Sequence, residues 1–278
     1  NIMQLENLMS GGRDAGTGSS LLFTENIDIV LNLAENTEVK KILELLSGLN
    51  GLGIAKKKYM KFPKGEVHGY ETGPFDIERI VPSELALPDE VFYAKLAESE
   101  LLLQERKMRE SKGAIYVLLD KSGSMSGEKI IWAKAVALAL YTRARKEKRE
   151  FYIRFFDEKT FDLYKVSKKS KKDEMIKLLQ YIAGVEATGG TDISNAIITA
   201  CKDIKEGHVK GTSEIVIITD GEDNINEDKV KEALKEANST LITVMIQGNN
   251  ESLRKISEQY FLATKLNEKD LLTVVSAS

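Results

Sequence analysis

The sequence predicts a doubly wound α/β domain, a mostly parallel sheet flanked by helices, preceded by a helical N-terminal region. Three observations predict it. Four short apolar runs, at 114–119, 151–156, 215–219 and 241–246, read as strands, and three of them are almost continuously apolar, as strands covered by helices on both faces are. Helical segments at 128–148, 172–183, 193–206, 227–238 and 251–258 alternate with them, which is the rhythm of a parallel sheet. Oxygen-rich loops follow the strand ends, where ligands bind in such sheets. The expected division is a helical region over 1–112, with a loop-rich segment at 63–88, and an α/β domain over 113–278.

Taken in order, Gly11 to Ser20 is loop-like, and 25–48 places Ile29, Leu33, Val39, Ile42, Leu43, Leu45 and Leu46 at helical spacing, fitting two short helices better than one. All four prolines, Pro63, Pro74, Pro82 and Pro88, fall between 63 and 88, so little regular structure is expected there. From Asp89 to Met108 the pattern Val91, Phe92, Leu96, Leu101, Leu102, Leu103 reads as helix. The helix beginning near Glu128 is apolar nearly all round, from Ile130 to Tyr141, and such a helix needs burial on more than one side. The N-terminal helices are candidates to cover it, with Trp132 as a core residue. Cys201 shares an apolar face with Ile197 and Ile204, so it reads as core too.

Composition narrows the function classes. The chain has 278 residues, 42% hydrophobic and 30% charged, enough for one large or two modest domains. Lys and Arg total 40 against 43 Asp and Glu, and a net charge of -3 supplies no global attraction to nucleic acid or an anionic membrane. Two lysine-rich runs, Lys56, Lys57, Lys58, Lys61 and Lys64 with Tyr59 and Phe62, and Lys168, Lys169, Lys171 and Lys172, read as solvated surface rather than nucleic-acid contacts. No run reaches the length of a membrane span. One cysteine and no basic-then-apolar leader ahead of Gln4 give a cytoplasmic expectation. Two histidines are too few for a histidine-rich metal site.

Three loops carry the chemistry. The run Asp120-Lys-Ser-Gly-Ser-Met125 follows a buried strand, and Gly123 lets Ser122 and Ser124 curl toward one point. Helix capping is the competing explanation, with Ser126 the best cap for a helix starting near Gly127. Ala187-Thr-Gly-Gly-Thr-Asp-Ile193 brings Thr191 to a helix start, where Thr191 or Asp192 would serve as cap. Ile215-Val-Ile-Ile-Thr-Asp-Gly221 ends a strand in Asp220, which also fits a simple Asp-Gly turn. Together they place two carboxylates and three hydroxyls at adjacent ends of one sheet. That set suits a hard divalent cation, Mg2+ first, with Mn2+ or Ca2+ as alternatives. The metal candidates are therefore Asp120, Ser122, Ser124, Thr191 and Asp220. Neither His68 nor His208 lies at a loop where it would activate a serine, so nucleophilic catalysis is poorly served.

Asp120-x-Ser122-x-Ser124, Gly189-Gly-Thr191-Asp and Thr219-Asp220-Gly221 resemble the metal ion-dependent adhesion site of von Willebrand factor type A (VWA) domains, in identity and in order. The resemblance implies a Rossmann-like, mostly parallel sheet with one short antiparallel edge strand, here 160–165. It implies direct metal contacts from Ser122 and Ser124. Asp120 and Asp220 would act largely through water, and Thr191 directly or through water. It also implies a sixth position filled by a Glu or Asp from a partner protein. The segment Gly73-Pro-Phe-Asp-Ile-Glu-Arg-Ile-Val-Pro-Ser-Glu-Leu-Ala-Leu87, followed by a helix and the metal strand, resembles prokaryotic cytoplasmic VWA proteins of the ViaA type, which bind MoxR-type AAA+ ATPases. Such proteins carry a longer N-terminal portion than this chain has. The expected function is a binding module rather than an enzyme, its partner a MoxR-type ATPase or its client. The alternatives are a magnesium phosphotransferase of haloacid dehalogenase type, with Asp120 as nucleophile and Asp220 and Asp223 on the metal, and a surface adhesion protein. Ser122 stands where the phosphotransferase would want a second aspartate.

Overall fold

A computed structural model describes residues 33, 35–47, 59–109, 113–167, 172–209, 214–221 and 223–277. The chain forms two compact units, one made of the described residues up to 47 with those from 113 onward, the other of residues 59–109.

The larger unit is built on a six-stranded sheet. Its strands are β3 (Ile115–Asp120), β4 (Phe151–Phe156), β5 (Tyr164–Val166), β6 (Glu214–Thr219), β7 (Thr240–Ile246) and β8 (Gln259–Ala263), in the spatial order β5-β4-β3-β6-β7-β8. Every neighbouring pair is parallel except β4 with β5. The predicted doubly wound sheet is thus the observed one, with its antiparallel edge strand a few residues later than expected. All six residues of β3 are buried, which explains its unbroken apolar run. Ile115, Val117 and Leu119 enter the core on one face, and Tyr116 and Leu118 enter the core on the other, as the two-residue period of a strand dictates.

Helix α1 (Thr37–Ser47) belongs to this unit. It turns Val39, Ile42, Leu43 and Leu46 inward at helical spacing and lies on α3 (Glu128–Glu147). Burying four such side chains contributes roughly 1.5–3 kcal/mol each before chain entropy is subtracted. Helix α3 also packs on β3 and on α8 (Glu268–Ala277), so its all-round apolarity meets cover on several sides. Trp132 is 1% exposed and its Nε1 donates to the Asn267 carbonyl at 3.3 Å. Helix α4 (Lys172–Ala183) completes that face, while α5 (Ile193–Lys205), α6 (Glu227–Glu236) and α7 (Glu251–Ile256) sit with the opposite core. Cys201 is buried among them, and burial pushes its thiol up to about 12. Strand β8 and helix α8 are absent from the sequence reading. The edge run Gln259-Tyr-Phe-Leu-Ala is half-exposed, too short and mixed to announce itself.

The smaller unit corrects the expectation of a helical region with a loop-rich middle. Strand β1 (Tyr59–Gly73) pairs antiparallel with β2 (Leu101–Arg109), and between them come a short 3-10 turn at Glu84–Ala86 and helix α2 (Asp89–Glu98). Pro63 does not break β1, because the register jumps from Lys61 to Glu66 and the proline falls within that irregularity. The helix expected to run to Met108 stops at Glu98. Ser99 turns left-handed with φ 57° and its N–H caps the helix end, after which Leu101 and Leu103 point to one side and are buried with Ile80. The leucine triplet obeys a period of two, not 3.6. The lysine runs at 56–58 and 168–171 and the glycine-rich segment 11–20 lie outside the described residues.

Candidate metal centre

Parallel strands run the same way, so the carboxyl ends of β3, β4 and β6 open at one edge of the sheet, and the loops leaving them meet there. At the end of β3, Asp120 is 0% exposed. The Ser122 N–H donates to its Oδ1 at 2.8 Å and the Thr219 hydroxyl donates to its Oδ2 at 2.5 Å. The chain then makes a 3-10 turn over Gly123–Met125. That turn sets the Ser122 and Ser124 hydroxyls 3.1 Å apart, and Ser124 donates onward to Asp220 Oδ1 at 3.1 Å. Four of the five predicted ligands are therefore joined by hydrogen bonds, the link from Ser124 to Asp220 spanning 96 residues of sequence.

Thr191 arrives with its loop. Gly123 N–H donates to the Gly189 carbonyl at 2.9 Å and Thr188 N–H to the Lys121 carbonyl at 2.7 Å, which ties the segment before α5 to the segment after β3. From the β4 end, the Asp157 carbonyl accepts from Asp192 N–H at 2.9 Å, and the Glu158 carboxylate accepts from Gly190 N–H at 3.2 Å. A Cβ on Gly190 would stand 2.7 Å from that carboxylate, so a larger residue there would push the Glu158 side chain aside. The Asp157 carboxylate itself is engaged by Lys121 Nζ at 2.8 Å.

Capping does not account for these hydroxyls. The cap position of α3 is taken by Gly127, with φ 80°, and has no side-chain cap bond. The cap of α5 is Asp192, whose carboxylate accepts from Asn195 N–H at 2.8 Å. The Asp-Gly turn is real, since Gly221 has φ 76° and its N–H donates to Thr219 Oγ1 at 3.0 Å. It coexists with the contacts of Asp220.

The electrostatics are those of carboxylates buried beside a positive charge. Burial pushes the Asp120 carboxyl up to about 6, opposed by the hydrogen bonds from Thr219 and Ser122. Asp220 is 2% exposed, and Lys129 Nζ lies 2.9 Å from its Oδ2. The ammonium supplies at this carboxylate the kind of charge a metal ion would bring. Among the described residues no group of three or more His, Cys, Asp or Glu side chains is arranged to hold a metal ion, so hydroxyls and water must complete the shell of any cation held here. The donor set of two carboxylates and neighbouring hydroxyls fits a hard ion.

A family model for the von Willebrand factor type A domain matches residues 114–273, which span the sheet and all of these loops. The chain belongs to the VWA domain family. An uncharacterized protein of Methanocaldococcus jannaschii is 30% identical over 272 residues, covering 93% of this chain and 61% of that protein. A second uncharacterized protein of the same organism is 27% identical, covering 95% of this chain and 71% of its own length. Among solved structures, a von Willebrand factor type A protein from Catenulispora acidiphila is 16% identical, with a TM-score of 0.46, and covers 61% of this chain and 43% of that one. The described helices include none long and apolar enough to cross a membrane.

Three residues of the VWA domain's loop cluster, Lys129, Asn250 and Gly248, escaped the sequence reading, and a fourth, Thr219, figures there only as part of the Thr219-Asp220-Gly221 segment without a role of its own. Thr219 bridges the two aspartate loops. Lys129 neutralises Asp220. Asn250 caps α7 by accepting from Leu253 N–H, and its amide donates to the Gly221 and Asp223 carbonyls, each at 3.0 Å. Gly248 passes so close that an added Cβ would lie 2.0 Å from the Asp220 carbonyl oxygen. Only Thr219 left a trace in sequence, a hydroxyl directly before the strand-end aspartate. Asp223, weighed as a metal ligand in the phosphotransferase alternative, accepts from Ile193 N–H at 2.8 Å and so braces α5. His208 lies before β6, at the opposite edge of the sheet, near Asp203.

Proposed function

We propose that this chain is a metal-dependent protein-interaction module. Ser122 and Ser124 would hold a divalent cation directly, Asp120 and Asp220 largely through water, and Thr191 from the facing loop. The observation that carries the reading is the relay from Ser122 through Ser124 to Asp220, two 3.1 Å contacts that bring oxygens from two strand ends to one point. Because few carboxylates would touch the ion, it keeps Lewis acidity for a Glu or Asp of a partner protein. Mg2+ is the proposed ion, from the preference of a hard cation for oxygen and water.

The partner class we propose is a MoxR-type AAA+ ATPase or its client, resting on the resemblance of residues 65–278 to ViaA-type proteins. A cytoplasmic role follows from the same resemblance. The phosphotransferase alternative finds no support at Asp120: both carboxylate oxygens are occupied by Ser122 N–H and the Thr219 hydroxyl, and the side chain is fully buried, which is unsuited to in-line attack on a phosphate ester.

The test is capture of a MoxR-type ATPase on the immobilised chain, with Mg2+ or with EDTA, using wild type and Ser124→Ala. The expected result is retention by wild type in Mg2+ and loss both in EDTA and in the variant. Equal retention throughout refutes a metal role in the contact. Turnover of a generic phosphate ester that Asp120→Asn abolishes would favour the enzyme instead.

A further inference from the structure

Lys129 sits in the first turn of α3, where the helix dipole disfavours a cation. Helix stability therefore does not explain it. Its Nζ instead reaches Asp220, whose two oxygens are divided: Oδ1 accepts from Ser124 Oγ at 3.1 Å, and Oδ2 accepts from Lys129 at 2.9 Å. The lysine side chain is 24% exposed while the aspartate side chain is 1% exposed, so the contact is screened only from one side.

We propose that Lys129 sets the charge of the loaded centre so that a bound divalent cation calls for one carboxylate from outside. The inference rests on the metal-binding reading above and adds to it the residue that tunes recognition of an acidic partner. A divalent cation with Asp120 and Asp220 both ionised is formally neutral, and an added carboxylate would leave excess negative charge in a buried place. With the Lys129 ammonium counted, the loaded centre carries one positive charge, and a single Glu or Asp neutralises it. The same ammonium opposes the cation directly. Lys129 thus weakens metal binding while strengthening binding of the carboxylate. A lysine that only held Asp220 in place would do the reverse to the metal, because losing it would loosen a ligand.

Mn2+ is titrated by calorimetry into metal-free wild type, Lys129→Met and Lys129→Arg, and acetate is then added to the Mn2+-loaded proteins while water-proton relaxation is followed. Far-UV circular dichroism and the metal-free melting temperature report folding. Lys129→Met is expected to bind Mn2+ on the order of tenfold more tightly and to need on the order of tenfold more acetate to displace bound water. Its metal-free melting temperature should fall, because Asp220 loses its counter-charge. Lys129→Arg should stay near wild type in all three. If folded Lys129→Met binds Mn2+ no better than wild type, or takes acetate as readily, the charge-setting role is wrong while the metal site stands. If wild type binds no Mn2+, or binds it and ignores acetate, the metal or carboxylate reading fails first and this inference with it.

Discussion

Replacing Thr219 with valine removes one hydroxyl and little else, since the two side chains share a shape. That hydroxyl donates to the Asp120 carboxylate at 2.5 Å and accepts from Gly221 N–H at 3.0 Å, with Thr219 0% exposed. A bond to a charged group contributes about 1.5–3 kcal/mol and a neutral one about 0.5–1.5 kcal/mol, and here no water replaces either. The expected loss for Thr219→Val is therefore about 2–4 kcal/mol. At roughly 2–4 °C per kcal/mol for a domain of this size, the melting temperature should drop by roughly 5–15 °C. Urea unfolding followed by circular dichroism in EDTA measures the first quantity, and a thermal scan the second. Thr219→Ser keeps the hydroxyl and should recover most of the loss. The Thr219 bond also holds the Asp120 carboxyl down against burial, so the valine variant should need a higher pH to bind metal. A Thr219→Val protein within about 0.5 kcal/mol of wild type, or a serine variant as unstable as the valine one, would refute the bridging role.

Three further outcomes follow from other contacts. The Asp120 carboxyl, raised from 3.8 to about 6 when folded, stabilises the metal-free fold below the unfolded value, and that contribution of at most about 3 kcal/mol is lost as pH rises through 6. Urea midpoints at pH 5 and pH 7 should therefore differ in EDTA, the difference shrinking in Mg2+ and in Asp120→Asn; identical slopes in all three would sink the assignment. Gly248→Ala drives a Cβ to 2.0 Å from the Asp220 carbonyl. It should cost about 1–3 kcal/mol and weaken Mn2+ binding in calorimetry, whereas unchanged affinity would show that the Asp220 loop tolerates the push. Lys134, 1% exposed in α3, pairs with Glu38 of α1 at 2.9 Å. Glu38→Gln leaves a buried ammonium short of its anion and should destabilise by about 1–3 kcal/mol, discounted because Glu38 is 41% exposed. Lys134→Met should cost less than Glu38→Gln, and the opposite order in urea titrations would contradict the burial argument.

The sequence alone marked the four inner strands of the sheet, while the edge strand β8 left no legible signal. Continuous apolar runs such as Ile115 to Leu119 admit few places except between helix layers, and α3, apolar nearly all round, required the cover that α1 and α8 provide. It also gave the oxygen donors, because a strand-end aspartate followed by alternating serines is a local pattern. It could not decide the hairpin of the smaller unit. Leu101 to Leu103 satisfies either period over so short a run, and the pairing of β2 with β1, more than 25 residues away, selected the strand. Nor could it decide whether Ser122 and Ser124 cap the following helix. That depended on Gly127 taking the cap position and on Asp220 folding back across 96 residues. Lys129, Asn250 and Gly248 were legible only in three dimensions, for the same reason. A lysine in a first helical turn, an asparagine in a loop and a glycine after a strand are ordinary locally, and only chain packing brings each against Asp220 or the loop that carries it.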